Sequence, residues 1–448
     1  MKHTLFLFVI LLGLFACQDD DVFFDIKMSE DKIRFEPVPG GAMMYYSLPA
    51  DMNVFAVNLR YKDCRGHEML KVGDYGGDSL LLDGFNEAQK NIPVSVTLVN
   101  HRNEESEPLH LAFDTQDSAP YSFFEKAEVS SSWGGFQLIY DAPKQVSGML
   151  HVFYLGMNPL TQQMDTILMK SSPIVKGGDT LLFPLQQARA VNTVVVRTQD
   201  YRGYRVKQQI WEDVEAYFPE KLDTSSLKFI DVRGLSIEND EDKSGIKYLF
   251  DGDIKGDQRI KSGKGNMVHT FLAGPGATGA PFIIDLKEER VPAQVRIYTM
   301  LNTSKYNVLG IDYFTKLPKS PLGGIWLAHY EDKIPCEVTI YGSNSDNPDG
   351  EWTKLGSFSE SRFLEAKDRW AYHSTSTYYY NTLVDLEAAD PVCMEITFPA
   401  TPTKYRYLKL VVDEVFIQPN YTSNYVDYNP NKYVTMHELE VYVKKDEQ

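Results

Sequence analysis

Cysteine is scarce, with four in 448 residues, too few for a disulfide scaffold or a CxxC-type zinc cluster. Basic residues are outnumbered, 45 Lys and Arg against 62 Asp and Glu, and the formal net charge is −17. A phosphate-binding surface needs clustered Lys and Arg, so this balance argues against nucleic acid as a partner. The familiar catalytic signatures are missing as well. Neither His437-Glu438 nor His67-Glu68 is followed by a second His at the zinc-protease spacing, and there is no GxSxG or Walker loop. A non-catalytic protein is the expectation, although sequence cannot place two carboxylates at a glycosidase separation. What is present is ample core material. Apolar residues make up 43% and aromatics 12%, which excludes a disordered chain. The length exceeds one ordinary domain and predicts two to four.

Lys2 is followed by an apolar run from Leu5 to Phe15. The run falls short of the ~20 apolar residues of a spanning helix and suits the h-region of a signal peptide. It ends in Leu14-Phe15-Ala16-Cys17, which resembles a bacterial lipobox. That resemblance implies a signal over residues 1–17, acylation at Cys17 and an outer-membrane lipid anchor. An ordinary cleavable signal with a chance cysteine is the alternative. The next residues, Gln18-Asp19-Asp20-Asp21, resemble the surface-export signal of Bacteroidota lipoproteins; a solvated tether is the alternative. Cys64, Cys336 and Cys393 remain, an odd number, so in an oxidising compartment one thiol stays free or bridges another chain. Cys336 lies in an alternating run on the face of Val338 and Ile340 and reads as a buried small hydrophobe.

Helical periodicity is scarce. Period-2 runs punctuated by Gly, Pro and Asn predict an all-β chain of sandwiches. Strands are expected at 43–48, 54–61, 79–82, 94–99, 136–140, 148–154, 180–183 and 193–198. An internal repeat organises this half. Gly40-Gly41 through Pro49 parallels Gly134-Gly135 through Pro143, and Gly77-Asp78-Ser79-Leu80-Leu81 parallels Gly178-Asp179-Thr180-Leu181-Leu182. Two copies of about 95 residues approach the ~100 typical of a small sandwich. The glycine pairs call for a positive φ or a close backbone approach. Both copies resemble fibronectin type III-like modules, expected at 25–118 and 121–219. The opening Phe35-Glu36-Pro37-Val38-Pro39-Gly40-Gly41 resembles that of a Bacteroidota surface lipoprotein family of unknown function. The members of that family carry two such modules and a discoidin-like domain. Glu238-Asn239-Asp240-Glu241-Asp242 reads as a solvated linker or loop.

Further strands are expected at 282–286, 295–300, 336–341, 394–398, 405–412 and 438–443. In the last, Leu439, Val441 and Val443 share one face, with Glu440 and Tyr442 on the other. Six segments, in order, resemble the discoidin family (coagulation-factor type C and family 32 carbohydrate-binding modules). They are Leu249 to Asp253, Phe282 to Leu286, Val338 to Ser343, Gly350 to Leu355, Tyr405 to Leu410 and His437 to Tyr442. The resemblance implies a galactose-binding-like jelly-roll β-sandwich over 223–448. It also implies a structural Ca²⁺, held here by the carboxylates of Asp251 and Glu438 and the carbonyl of Asp253. The family usually adds a Thr where this chain has Gly256, which removes one ligand. The alternative is an Asx-turn at Asp251 beside a surface Glu438.

In that family, loops at one pole bind sugars or other surface groups. Three long loops here, 302–335, 359–391 and 418–435, are rich in aromatics. Sugar rings stack on Trp and Tyr while Asn, Arg and His address the hydroxyls. The candidate ligand residues are Trp326, Tyr330, Arg369, Trp370, Tyr372, His373, Tyr379, Asn381, Tyr425 and Tyr428. For any one of them, burial in a small satellite core is the competing expectation. The resulting expectation is a lipid-anchored, surface-exposed outer-membrane protein that captures a glycan or polysaccharide without catalysis. Its setting would be a polysaccharide-utilisation system with other surface proteins as partners. A structural or adhesin-type protein whose pole grips a protein partner is the alternative.

Overall fold

The computed structural model describes residues 24–142, 147–186, 189–241, 243–261, 269–302, 330–375, 377–378, 380–419, 425–427 and 429–446, less the side chains of 259, 260, 418, 419, 425 and 426. Cys17, with the signal and acidic run around it, lies outside the described residues, as do Trp326, Tyr379 and Tyr428 and the side chain of Tyr425. The protein is all-β, as its period-2 patterning predicts. Among the described residues no helix is long and apolar enough to cross a membrane. The chain divides into two compact units, one of Met1–Ser130, Gln137–Leu182 and Asn192–Val214, the other of Ser131–Phe136, Phe183–Val191 and Glu215–Gln448.

The N-terminal strands are β1 (Ile33–Val38), β2 (Gly41–Tyr46), β3 (Val54–Lys62), β4 (Glu68–Asp74), β5 (Ser79–Asp83), β6 (Ile92–Asn100) and β7 (Leu109–Phe113). They form two sheets, β1-β2-β5 and β4-β3-β6-β7. Next come β8 (Glu128–Ser132), β9 (Gly135–Tyr140), β10 (Met149–Met157), β11 (Met164–Pro173), β12 (Asp179–Pro184), β13 (Val191–Gln199) and β14 (Arg205–Glu215). Their sheets, β12-β9-β8 and β11-β10-β13-β14, repeat the same strand orders. The sequence repeat is therefore a repeat of topology, and β2 and β9 even share one burial pattern.

The glycine pairs work as the sequence requires, each glycine for a different reason. Gly40 and Gly134 take φ of 79° and 68°, a region costly for other residues. A Cβ on Gly41 would sit 2.0 Å from the Leu82 carbonyl oxygen, and one on Gly135 2.0 Å from that of Phe183. Alternating aliphatic and aromatic residues bury one face of each inner strand. Met44, Val57, Leu59, Leu82, Val96 and Leu98 are fully buried in the first sandwich's core. The strands that the sequence left unassigned here, β1, β4, β7, β8, β11 and β14, are all edge strands. Edge strands bury less, so their apolar alternation is diluted by charge.

The C-terminal strands are β15 (Pro219–Lys221), β16 (Lys228–Asp231), β17 (Phe271–Ala273), β18 (Pro281–Arg290), β19 (Pro292–Tyr298), β20 (Pro335–Ser343), β21 (Thr353–Ser359), β22 (Cys393–Thr397), β23 (Tyr405–Val415), β24 (Gln418–Pro419), β25 (Tyr425–Val426), β26 (Val434–Met436) and β27 (Glu438–Lys444). A five-stranded sheet, β16-β18-β23-β20-β21, and a four-stranded sheet, β15-β27-β19-β22, share one core. Phe282, Ile284, Val338, Ile340, Leu408 and Leu410 come from the first sheet, and Val295, Ile297, Met394, Leu439 and Val441 from the second. This is the interdigitation of a sandwich. The acidic run is no free linker. Glu238 accepts from the Ile246 amide at 2.8 Å, and Asn239 pairs with Ser244.

Two details depart from simple alternation. The outer face of β27 is also covered: Glu440 is buried and binds Lys221, Tyr298 and Tyr442. Irregular register at the start of β20 turns Cys336 away from Val338 and Ile340. It enters a separate cluster with Met300, Tyr330, Ile334 and Phe416. There it is buried, as expected, and burial pushes its thiol up to about 12. Cys64 and Cys393 are also free thiols.

Candidate functional site

The segment following β21 folds back over the end of the sandwich and is pinned by its polar side chains. Arg369 is buried. Its Nε donates to the Leu364 carbonyl at 2.9 Å and its Nη2 to that of Ile417 at 2.7 Å. The guanidinium also lies 4.5 Å from the centre of the Phe416 ring. Trp370 is half-buried; its Nε1 donates to the Pro335 carbonyl at 2.9 Å, and its ring meets Phe358 edge-on. Tyr330 is buried, and its hydroxyl accepts from Thr299 Oγ1 and the Met300 amide, both at 3.1 Å. Arg369 and Tyr330 therefore hold the loops in place, and Trp370 divides its surface between core and solvent. A buried Arg must have its donors satisfied, and carbonyls of loops without regular pairing are the acceptors at hand.

Beside them, Tyr372, His373, Tyr378 and Tyr380 form one aromatic group. The His373 and Tyr378 rings stack at 4.2 Å with 9° between planes. Tyr372 lies 5.1 Å from Tyr378, and the Tyr380 hydroxyl is 2.9 Å from His373 Nδ1. All four are half-buried, so each keeps a solvent-facing edge or face. Burial, with the neighbouring Tyr378, pushes the Tyr380 hydroxyl up to about 12. Asn381, next in the chain, is exposed.

Asn302 organises this group, a role the sequence reading missed. Its Nδ2 donates to the Thr375 carbonyl at 2.7 Å and the Tyr378 carbonyl at 2.9 Å. Its main chain pairs with His373 and Tyr380. Its place directly after the buried Met300 and Leu301 is the only sequence signal, because a polar residue there needs loop carbonyls as partners. Of the candidate ligand residues with described side chains, Tyr372 and His373 thus touch, and Asn381 is exposed beside Tyr380 in the chain. Tyr378, which the ligand set omitted, packs on both Tyr372 and His373.

The acidic residues lie elsewhere, where the turn at Gly252 meets β27. Glu438 is 1% exposed and accepts from the Gly252 amide at 3.2 Å. Burial, reinforced by the Asp251 carboxylate, pushes its carboxyl up to about 8. Burial also raises Asp251, whose Oδ1 accepts from the Asp253 amide at 3.0 Å. Asp251 thus makes the expected Asx-turn, but Glu438 is no surface residue. The Asp253 side chain is committed inward. It accepts from the amides of Lys255, Gly256, Asp257 and Gln258 and lies 3.5 Å from His437 Nε2. Among the described residues no three His, Cys, Asp or Glu side chains are grouped to hold a metal ion. Asp251 and Glu438 are nevertheless two neighbouring carboxylates, one of them buried, and the Lys221 charge only partly offsets the burial and repulsion that raise Glu438. Their charge fits a divalent cation; their number supplies two carboxylates and leaves the rest to carbonyls and water.

Residues 29–115 match the model of a domain of unknown function, DUF4959. No curated protein matches the chain. Among solved structures, the chain is similar to a SusE-like protein at 16% identity, covering 73% of this chain and 99% of that one, with a TM-score of 0.38. It is similar to a family 32 carbohydrate-binding module of a family 31 glycoside hydrolase from Clostridium perfringens, at 16% identity over 48% of this chain and 93% of that one, TM-score 0.24. It is also similar to an F5/8 type C domain from Bacteroides fragilis, at 9% identity over 51% of this chain and 98% of that one, TM-score 0.25.

Proposed function

We propose that this protein binds a carbohydrate without catalysis, through the pole of its C-terminal sandwich. The observation that carries this reading is the stacked His373–Tyr378 pair with Tyr372 and Tyr380 around it. Aromatic faces held by buried hydrogen bonds lose little conformational entropy when a sugar ring stacks on them. Asn381 and the tyrosine hydroxyls would address the sugar's hydroxyls. Arg369 and Tyr330 would hold the neighbouring loops that carry the platform, and Trp370 would add its exposed edge. The proposal extends to an outer-membrane lipid anchor at Cys17, the two N-terminal sandwiches as spacers, and other surface proteins of a polysaccharide-utilisation system as partners. Weak single sites on one membrane would gain from avidity.

The same reading includes a structural Ca²⁺ held by Asp251, Glu438 and the Asp253 carbonyl. The cation would neutralise the two carboxylates and fasten the Gly252 turn to β27.

The test is a glycan array with soluble protein lacking residues 1–17. Binding is expected, and the double variant Tyr372→Ala/Tyr378→Ala should abolish it while the melting temperature holds. Undiminished binding by that variant would remove the pole assignment. A blank array would favour a protein partner, for which the exposed Leu70 and Val72 on edge strand β4, at 52% and 55% exposure, offer an apolar surface.

A further inference from the structure

Two turns of the N-terminal region share the pattern Asp-x-Arg-Gly. One is Asp63-Cys64-Arg65-Gly66, between β3 and β4; the other is Asp200-Tyr201-Arg202-Gly203, between β13 and β14. Both are built alike. Asp63 Oδ1 accepts from the amides of Arg65 and His67 at 2.8 and 2.9 Å, and Asp200 Oδ1 from those of Arg202 and Tyr204 at 3.0 and 2.9 Å. Each turn closes on a glycine at positive φ. The second carboxylate oxygen of each Asp is thereby left for another partner, and Arg202 serves both. Its Nη1 binds Asp63 Oδ2, and its Nη2 lies 3.4 Å from Asp200 Oδ2 and donates to the Gly84 carbonyl at 3.2 Å.

This arginine belongs to the second sandwich, while Asp63 and Gly84 belong to the first. The contact is reciprocated. The Arg65 guanidinium of the first sandwich lies 3.7 Å from the centre of the Tyr204 ring in the second, and Asn86 reaches Asp200 at 3.5 Å. The side chains of Asp63, Asp200 and Arg202 are 0%, 6% and 17% exposed. Burial opposes ionisation of Asp63, but the His67 and Arg65 amides and the Arg202 guanidinium outweigh it and hold the carboxyl down at about 2.

The connecting chain has no slack. Gln116 exchanges main-chain bonds with Val38 and Gly40, and the Ser118 amide donates to the Asn86 carbonyl at 2.8 Å, all in the first sandwich. The Pro120 carbonyl already accepts from Thr198 Oγ1 of β13 at 2.7 Å. Ala119 alone separates these anchors, and it is buried. Beside the joint lies a cleft of about 160 Å³ lined by Leu81, Phe85, Tyr201 and Arg202. Packing beside the joint is thus incomplete, and the charged cluster adds to the anchored link in fixing it.

We infer that Arg202 locks the first two sandwiches into one rigid strut, with Asp63 and Asp200 as its two seats. Bending the joint would part the desolvated Asp63 carboxylate from its cation, which is far more costly than parting an exposed ion pair. A rigid strut, unlike a jointed chain, holds the two sandwiches at one mutual distance and angle. The inference is independent of what the C-terminal pole binds.

The test is a distance measurement by electron–electron resonance in the full chain, with Cys17, Cys64, Cys336 and Cys393 replaced by alanine. Spin labels go on Lys90→Cys in the first sandwich and Thr161→Cys in the second, both exposed positions. The parent should give one narrow distance peak, and Arg202→Met should lose it to a broad distribution. The uncharged triple variant Asp63→Asn/Asp200→Asn/Arg202→Met leaves no buried charge to impair folding and should broaden the peak in the same way. A broad parent distribution would overturn the strut, and a peak that stays narrow in both variants would overturn the role of Arg202.

Discussion

Glu438→Gln exposes what a buried carboxyl does to this fold. The side chain is almost wholly buried, and its carboxyl titrates at about 8 in the folded protein against an ordinary value of 4.5. The folded pKa is raised, so the group's stabilising contribution is complete below pH 4.5 and is lost as pH rises towards 8. Across that window the unfolded chain releases a proton that the folded chain retains. At pH 7 the loss amounts to about 3 kcal/mol. Gln keeps an acceptor for the Gly252 amide and carries no charge. In EDTA at pH 7 the variant should therefore be the more stable, by about 6–12 °C in the transition of the C-terminal sandwich. At pH 4 the two proteins should melt together. Excess Ca²⁺ should reverse the order, because the ionised Glu438 then becomes a ligand that Gln replaces poorly. Thermal melts in EDTA from pH 4 to 9 decide the matter. Parallel curves for the two proteins would refute the buried-carboxyl reasoning, and a Ca²⁺-independent difference would refute the cation.

Other consequences are as direct. Gly41→Ala and Gly135→Ala each drive a Cβ into a carbonyl oxygen and should each destabilise by at least about 1–3 kcal/mol, read from denaturant unfolding. Phe282→Ala removes a fully buried ring packed on Phe229 and Phe271 and should cost about 3–5 kcal/mol by the same measurement. Arg369→Lys forfeits the fork to Leu364 and Ile417 and should lower stability by about 1–3 kcal/mol; Tyr378→Ala should weaken glycan binding with little change in melting temperature. Cys336 should resist a thiol reagent until the chain unfolds, because its thiol is buried and pushed up to about 12, whereas Cys64 and Cys393 should react first.

Inner strands such as β3, β6, β18, β19 and β23 are legible because the residues they turn to the main core repeat with period two. Edge strands such as β1, β4 and β11 are not, since half of that pattern is missing where one side faces water. The candidate site divides in the same way. Aromatic loops identify the pole region, but they cannot separate Arg369 and Tyr330, sequestered on carbonyls and in small cores, from Tyr372 and His373, which keep a face in solvent. Asn302 is announced only by its place after Met300 and Leu301, because its partners lie more than seventy residues away.

The sequence by itself determined the all-β class, the two-copy repeat with its glycine pairs, and the placement of aromatics in loops. Those features follow from residue spacing, backbone sterics and composition, which are local properties. Tertiary structure alone decided that Glu438 is buried against Asp251, that Cys336 leaves the main core, and that Arg202 crosses from one sandwich to the other to meet Asp63. Each of these depends on desolvation and on charges brought together from distant parts of the chain, and neither quantity exists until the chain has folded.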